Sequence, residues 1–251
     1  MEKSAKLGKL TLLNIILFGF IGQVAWAVEN NFFNTFLFSF GGTTKDISTM
    51  VAASAVVAVV TTFVMGTLSD KLGRRKVFIC AGYVAWGITV MAFAFISREN
   101  LGKLIGADPS SAAALSATVT TVIVMDCIMT FMGSTSNDSA FNAWITDVTV
   151  PSNRAKTEGL LAILPVLALV IVTGVFGFIA GDDAQASDYA TCFLGLGILV
   201  IICGIVGIFT IKDTGSGQKS DGNFFADLIY GFRPSVIKSH KCLYLSLACM
   251  G

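Results

Sequence analysis

Charge is what this 251-residue sequence has least of: Asp, Glu, Lys and Arg make up 13% of it, about half the share of an ordinary soluble domain. So few charges do not cover the surface of a water-soluble enzyme or a nucleic-acid binder, and the chain is far too apolar to be disordered. Neither sign dominates, with 17 Lys+Arg against 16 Asp+Glu, so no polyanionic partner is implied and nucleic acid is excluded. Histidine occurs once, as His240 beside Lys241. No His-rich cluster, nucleophile elbow or phosphate loop accompanies it, so there is no catalytic set and no call for a cofactor. The cysteines Cys80, Cys127, Cys192, Cys203, Cys242 and Cys249 show no Cys-x-x-Cys spacing and lie in or beside apolar runs. They read as small buried residues rather than metal ligands or disulfides.

Apolar residues take the place of charge, at 54% of the chain and a mean hydropathy of +0.77. Proline is scarce at 4 and glycine abundant at 25, as in packed membrane helices, where small residues let backbones approach. A helix needs about 20 apolar residues to cross a ~30 Å hydrocarbon core. Leu10–Val28 carries no charge, and after Glu29 the chain stays uncharged to Thr44. Further runs are Ile47–Ser69, Val77–Ser97, Gly159–Gly181 and Tyr189–Ile211, and Pro109–Thr146 is broken only by Asp126 and Asp138. Six spans result, all helical, because backbone groups in lipid must be satisfied internally. Ala25-Trp26-Ala27 mimics a signal-peptide cleavage site after Lys3, Lys6 and Lys9, but the apolar run continues past it and five more spans follow.

With six spans, Lys45, Arg98 and Lys103 fall on one side and the other 14 of 17 basic residues on the opposite side. The positive-inside rule then puts the N-terminus in the cytoplasm, with the acidic Gly181-Asp182-Asp183 loop outside. Residues 1–211 read as the bundle and 212–240 as a polar linker. Within that linker Asn223–Phe232 reads as a short amphipathic helix, with Phe224, Leu228 and Phe232 on one side. Residues 241–251 read as the start of a seventh span that the sequence does not complete.

Between spans two and three stands Gly66-Thr67-Leu68-Ser69-Asp70-Lys71-Leu72-Gly73-Arg74-Arg75-Lys76. Gly73 can take a positive φ, and Asp70 can pair with an arginine or a helix N-terminus. A plain positive-inside loop explains the bases but not the acid or the two glycines. After span four, Asp147-Val-Thr-Val-Pro151-Ser-Asn-Arg154 places another acid and arginine on the same face. A charge network between the two loops is expected, with a pair of solvated loop charges as the plainer explanation.

The first of these loops resembles the signature of the major facilitator superfamily, G-x-L-x-D-[RK]-x-G-[RK]-[RK]-[RK], in every specified position and in its place between the second and third spans. The resemblance implies an all-α integral membrane protein, the six-helix N-terminal bundle of a twelve-helix fold plus the start of a seventh helix. It implies a secondary active transporter with its cavity between two bundles, and so a missing C-terminal half as partner, without which the chain is not expected to transport. It also implies that Asp70 and Arg74 help lock the bundles in the outward-facing state, with Asp147 near the Arg74–Arg75 cluster.

Charges inside a membrane are costly and are functional suspects by default. If the fourth span ends near Asp147, Asp138 lies ~13 Å deeper, near the midplane, at ~1.5 Å per residue. It is the first candidate for a proton or monovalent-cation site, with Asn137, Ser134 and Asn142 within a turn for a solute. A helix-to-helix hydrogen bond explains Asp138 as well. Glu29 is the second coupling candidate, toward the external mouth. Asp126, ~18 Å further out than Asp138, is expected only to mark the external end of its helix. Gln23, Trp26 and Asn30 share one face of span one, where an aromatic ring beside amides suits a sugar; a polar seam against another helix is the alternative. Trp86 and Trp144 are assigned to packing.

Gly22-Gln23-x-x-Trp26-Ala27, with the signature loop, is similar to the sugar-transporting branches, the sucrose-type and glycoside–pentoside–hexuronide cation symporters. The second of these carries acids in its second helix, and Ile47–Ser69 has none, which favours protons over sodium. Pro165 has no preceding glycine, unlike the fifth-helix pattern of drug–proton antiporters. A drug or metabolite exporter and a non-transporting solute receptor on the same fold remain as alternatives.

Overall fold

A computed structural model of the protein describes residues 7–179, 186–213, 229–230 and 233–250. Among these residues there are helices and no strand. Six helices are long and apolar enough to cross a membrane: Lys9–Ser39, Thr44–Leu72, Arg75–Phe95, Ala112–Val148, Pro151–Ile179 and Asp188–Thr210.

The first is α1 (Lys9–Ser39), which runs through Glu29 without a break. α2 (Thr44–Leu72) starts on a capping box, in which Thr43 Oγ1 accepts from the Asp46 amide at 3.3 Å and Asp46 Oδ2 accepts from the Thr43 amide at 2.8 Å. It stops at Gly73, whose φ of 61° returns the chain in a left-handed cap, a conformation glycine adopts without a Cβ penalty. α3 (Arg75–Ala92) ends in a 3-10 turn, Phe93–Phe95. A short helix the hydropathy profile does not signal, α4 (Arg98–Ile105), follows, capped by Ser97 and ended by Gly106 at φ 68°.

α5 (Ala112–Gly133) widens into a π-helical stretch, Ser134–Phe141, and continues as α6 (Asn142–Val148). Thr135 and Ser136 hydroxyls donate back to the Phe131 and Met132 carbonyls at 2.7 and 2.8 Å, which supplies partners to carbonyls where the α-helical ladder changes register. α7 (Pro151–Leu161) starts on Pro151 and leads into α8 (Leu164–Ile179); α9 (Ala186–Thr210) is the sixth span. α10 (Pro234–Ser239) and α11 (Lys241–Met250) follow. The Asp182-Asp183 loop, Lys3, Lys6, and most of the expected linker with Phe224, Leu228 and Phe232 lie outside the described residues.

Lipid tails are as apolar as the helix surfaces, so close packing rather than water exclusion holds such a bundle together. α3 and α9 form the most extensive pair. A Cβ on Gly87 would lie 2.6 Å from the Gly197 carbonyl oxygen, and one on Gly204 2.9 Å from that of Cys80. Only glycine permits that backbone approach. At the end away from the basic loops, Phe33, Phe36, Phe93 and Phe193 interlock, with ring centroids 4.5 Å apart for Phe33–Phe93 and 5.0 Å for Phe36–Phe193. α2 and α8 leave many apolar side chains exposed, among them Val56, Val60, Phe63, Val170 and Phe178. In a membrane these face lipid or another apolar surface.

Candidate functional site

The middle thirds of α1, α2 and the α5–α6 rod enclose a cleft of about 390 Å³. Its wall contains Gln23, Trp26, Glu29 and Asn30 from α1, Val51, Ser54, Ala55 and Ala58 from α2, and Thr130 and Asp138 from the rod. Five of the polar residues singled out in the sequence therefore line one cavity. A smaller cavity of about 130 Å³ lies on the far side of Gln23 and Asp138, and is lined by these two with Gly19, Asn137, Phe141, Asn142 and Glu158. Gln23 and Asp138 border both spaces.

Asp138 sits in the π-helical stretch, where Ser134 Oγ donates to its Oδ2 at 3.0 Å. The Trp26 side chain bears on the same carboxyl from α1, but its indole Nε1 has no hydrogen-bond partner. Trp26 leans on the buried Trp86 ring at 5.0 Å. Gly133 makes room for both, since a Cβ there would come within 2.8 Å of Trp86 and 2.9 Å of Trp26. On the other side of Trp26, Glu29 Oε1 accepts from Thr130 Oγ1 at 3.1 Å.

The amides divide into two groups. Asn137 is buried and donates to Tyr83 Oη at 2.7 Å, and Tyr83 donates on to the Phe18 carbonyl at 2.7 Å. This chain ties the rod, α3 and α1 together, so the Asn137 amide has a structural partner at the edge of the smaller cavity. Asn142 and Asn30 donate back along their own helices, to the Asp138 and Trp26 carbonyls at 3.0 and 2.9 Å. Their carbonyl oxygens leave an acceptor for a ligand. Trp144 packs on Phe141 and donates to the Lys212 carbonyl at 3.3 Å.

One expectation is corrected. Asp126 does not mark the outer end of its helix. It lies well inside the 37-residue rod and is 1% exposed, beside Glu29 and Ser54. Helix rise from Asp147 was measured against a bilayer-length span, whereas the rod is longer than the hydrocarbon core. Asp126 and Ser54 lie 72 residues apart in sequence and meet only in space, which spacing within one helix does not reveal.

At the basic end a second cluster forms. Arg75 is buried, and its guanidinium donates to Ser69 Oγ at 2.6 Å, pairs with Asp70, and reaches Asp147 Oδ2 at 3.2 Å. Arg74 is exposed at the start of α3. Arg154 donates to Thr149 Oγ1 at 3.2 Å and to the Thr146 carbonyl at 2.9 Å, closing the end of α6. Asp213 accepts from the Lys76 amide at 2.8 Å, which draws the chain after α9 to the same loop. Gly66 faces Ser139 with room for a Cβ at 3.6 Å.

A polar cleft at mid-length of helices long enough to cross a membrane, with an ion-paired loop at one end, is the arrangement that alternating-access membrane carriers use. The chain belongs to the major facilitator superfamily, whose sequence profile matches residues 15–250. Searches of curated proteins and of solved structures each found no match.

Proposed function

We propose that this transporter moves a small polar solute, a sugar, by alternating access across the cytoplasmic membrane, together with a proton. The reading rests on one observation above the rest: Gln23, Trp26, Glu29, Asn30 and Asp138 line a single cleft. Amide oxygens accept from hydroxyls, the Trp26 ring offers a face for the C–H side of a sugar, and its unpartnered Nε1 offers a donor. Asp138 and Glu29 supply carboxyls that take up a proton on one side and release it on the other. A second six-helix bundle closes the open side of the cleft, and the Asp70–Arg75–Asp147 cluster, with Gly66, Gly73, Arg74 and Arg154 around it, holds the bundles in one of their two arrangements. The basic end lies in the cytoplasm with the N-terminus.

The test is uptake of labelled sugars into membrane vesicles that contain the protein with both bundles. Uptake is expected to collapse on addition of an uncoupler, and Asp138→Asn to abolish accumulation against a gradient. Accumulation by Asp138→Asn equal to that of the parent overturns its assigned role. Solute binding without counterflow identifies a receptor, and uptake that ignores the uncoupler removes proton coupling.

A further inference from the structure

Two buried carboxyl oxygens lack any hydrogen-bond partner: Oε2 of Glu29 on α1, which lines the cleft, and Oδ1 of Asp126 on α5, which does not. Thr130, which donates to Glu29 Oε1 at 3.1 Å, stands one helical turn along from Asp126, so α5 presents both residues to the same stretch of α1. Asp126 and Asp138 both lie within electrostatic reach of Glu29. From α2, Ser54 stands against Asp126. The other titratable groups beside the two are Asp138 and Cys127. Among the described residues no Lys, Arg or His acts on either carboxyl.

Two carboxylates that act on each other in a low-dielectric interior, with no cation beside them, resist double ionisation, and one proton relieves the repulsion. A shared O–H also gives each unpartnered oxygen what it lacks, one as donor and the other as acceptor. We propose that Glu29 and Asp126 form one proton-binding site that holds a single proton between them, ties α1 to α5, and is separate from Asp138. The proton comes from water in the cleft and returns to it, and the pair passes between one and two negative charges. This rests on reading the cleft as a proton-coupled carrier site and names carboxyls for that proton.

Infrared spectroscopy of the protein in lipid nanodiscs at neutral pH tests the site through the carbonyl stretch of protonated carboxyls. The parent is expected to show a component that changes in position or disappears in both Glu29→Gln and Asp126→Asn. It should vanish in the double variant and persist in Asp138→Asn. A component unchanged in Asp126→Asn, or surviving the double variant, overturns the shared site. Glu29→Gln gives the same reading if Asp126→Asn does not fold. Sugar uptake is read separately: uptake insensitive to an uncoupler, with the infrared pattern as expected, defeats the coupling reading and leaves the shared proton standing. Coupled uptake with a component indifferent to Asp126 defeats the shared site alone.

Discussion

Arg75 bridges to Asp147 across 72 residues of sequence, Nε to Oδ2 at 3.2 Å, and so joins the loop after α2 to the end of α6. The same guanidinium holds Asp70 and Ser69. Its side chain is 9% exposed and that of Asp147 18%, so water screens this pair less than it screens an ordinary surface bridge.

Arg75→Ala is therefore expected to destabilise the bundle by about 2 kcal/mol, since it strands the Asp147 carboxylate and removes the donor to the buried Ser69 Oγ, which keeps only its own bond to the Gly66 carbonyl. Arg74→Ala, at an exposed position two residues from Leu72, should leave stability within about 0.5 kcal/mol. Thermal unfolding of the two variants in detergent, followed by intrinsic fluorescence, compares them directly. Equal losses would show that the positive charge of the loop matters and the bridge does not.

Gly22 and Gly66 both belong to motifs legible in the sequence, yet the structure separates them. A Cβ on Gly22 would lie 2.2 Å from Asn137 Nδ2 and 2.8 Å from Tyr83 Oη, while one on Gly66 meets Ser139 Oγ at an ordinary 3.6 Å. Gly22→Ala is expected to break the Asn137–Tyr83–Phe18 chain and cost about 1–3 kcal/mol. Gly66→Ala should fold as the parent does. A Gly66→Ala variant that folds normally but transports slowly would place the need for Gly66 in another conformation of the carrier.

The six spans were legible because apolar runs of bilayer length are the strongest signal a sequence offers. Gly73 was legible because a turn between two spans demands a positive φ. Gln23, Trp26 and Asn30 shared a face by helical period alone. Asp126 was missed because nothing in one helix tells which neighbour its carboxyl faces, and Glu29 lies on another helix. Which of two adjacent arginines turns inward was equally hidden: Arg74 precedes α3 with non-helical backbone and Arg75 is its first residue, and only the packing of α2, α3 and α6 selects between them. The π-helical stretch leaves a trace in Ser134-Thr135-Ser136-Asn137, residues whose side chains compete for backbone groups, but such runs occur in ordinary helices too.

Outside the membrane, the connection from α4 to α5 makes a pH prediction. The Ser110 hydroxyl and its amide, the latter at 2.7 Å, donate to Asp108 Oδ1 and hold that carboxyl below the usual aspartate range. Lys103 does the same for Glu99, by a hydrogen bond and by its charge. A carboxyl with a lowered value in the folded state stabilises that state above its unfolded value, and the contribution is lost as pH falls through the folded one. Asp108→Asn should thus lower the melting temperature slightly at neutral pH, and the difference from the parent should fade below about pH 4. A difference that stays constant across that range would mean that Asp108 acts through its shape and not its charge.

Trp26 separates solute binding from architecture. Its ring rests on Trp86 at 5.0 Å, while its Nε1 is buried without a partner in the wall of the cleft. An unpartnered buried donor costs free energy in the empty protein, and a solute oxygen placed on it removes that cost. Trp26→Phe keeps a ring against Trp86 and deletes the donor. It should leave the thermal midpoint at or slightly above that of the parent, while raising the KM for uptake about 3- to 10-fold, the worth of one neutral hydrogen bond. Trp26→Ala deletes the ring as well, opens a void beside Gly133, and should lower stability and affinity together. An unchanged KM in Trp26→Phe would mean that the indole N–H never meets the solute and that Trp26 serves only to pack α1 against α3.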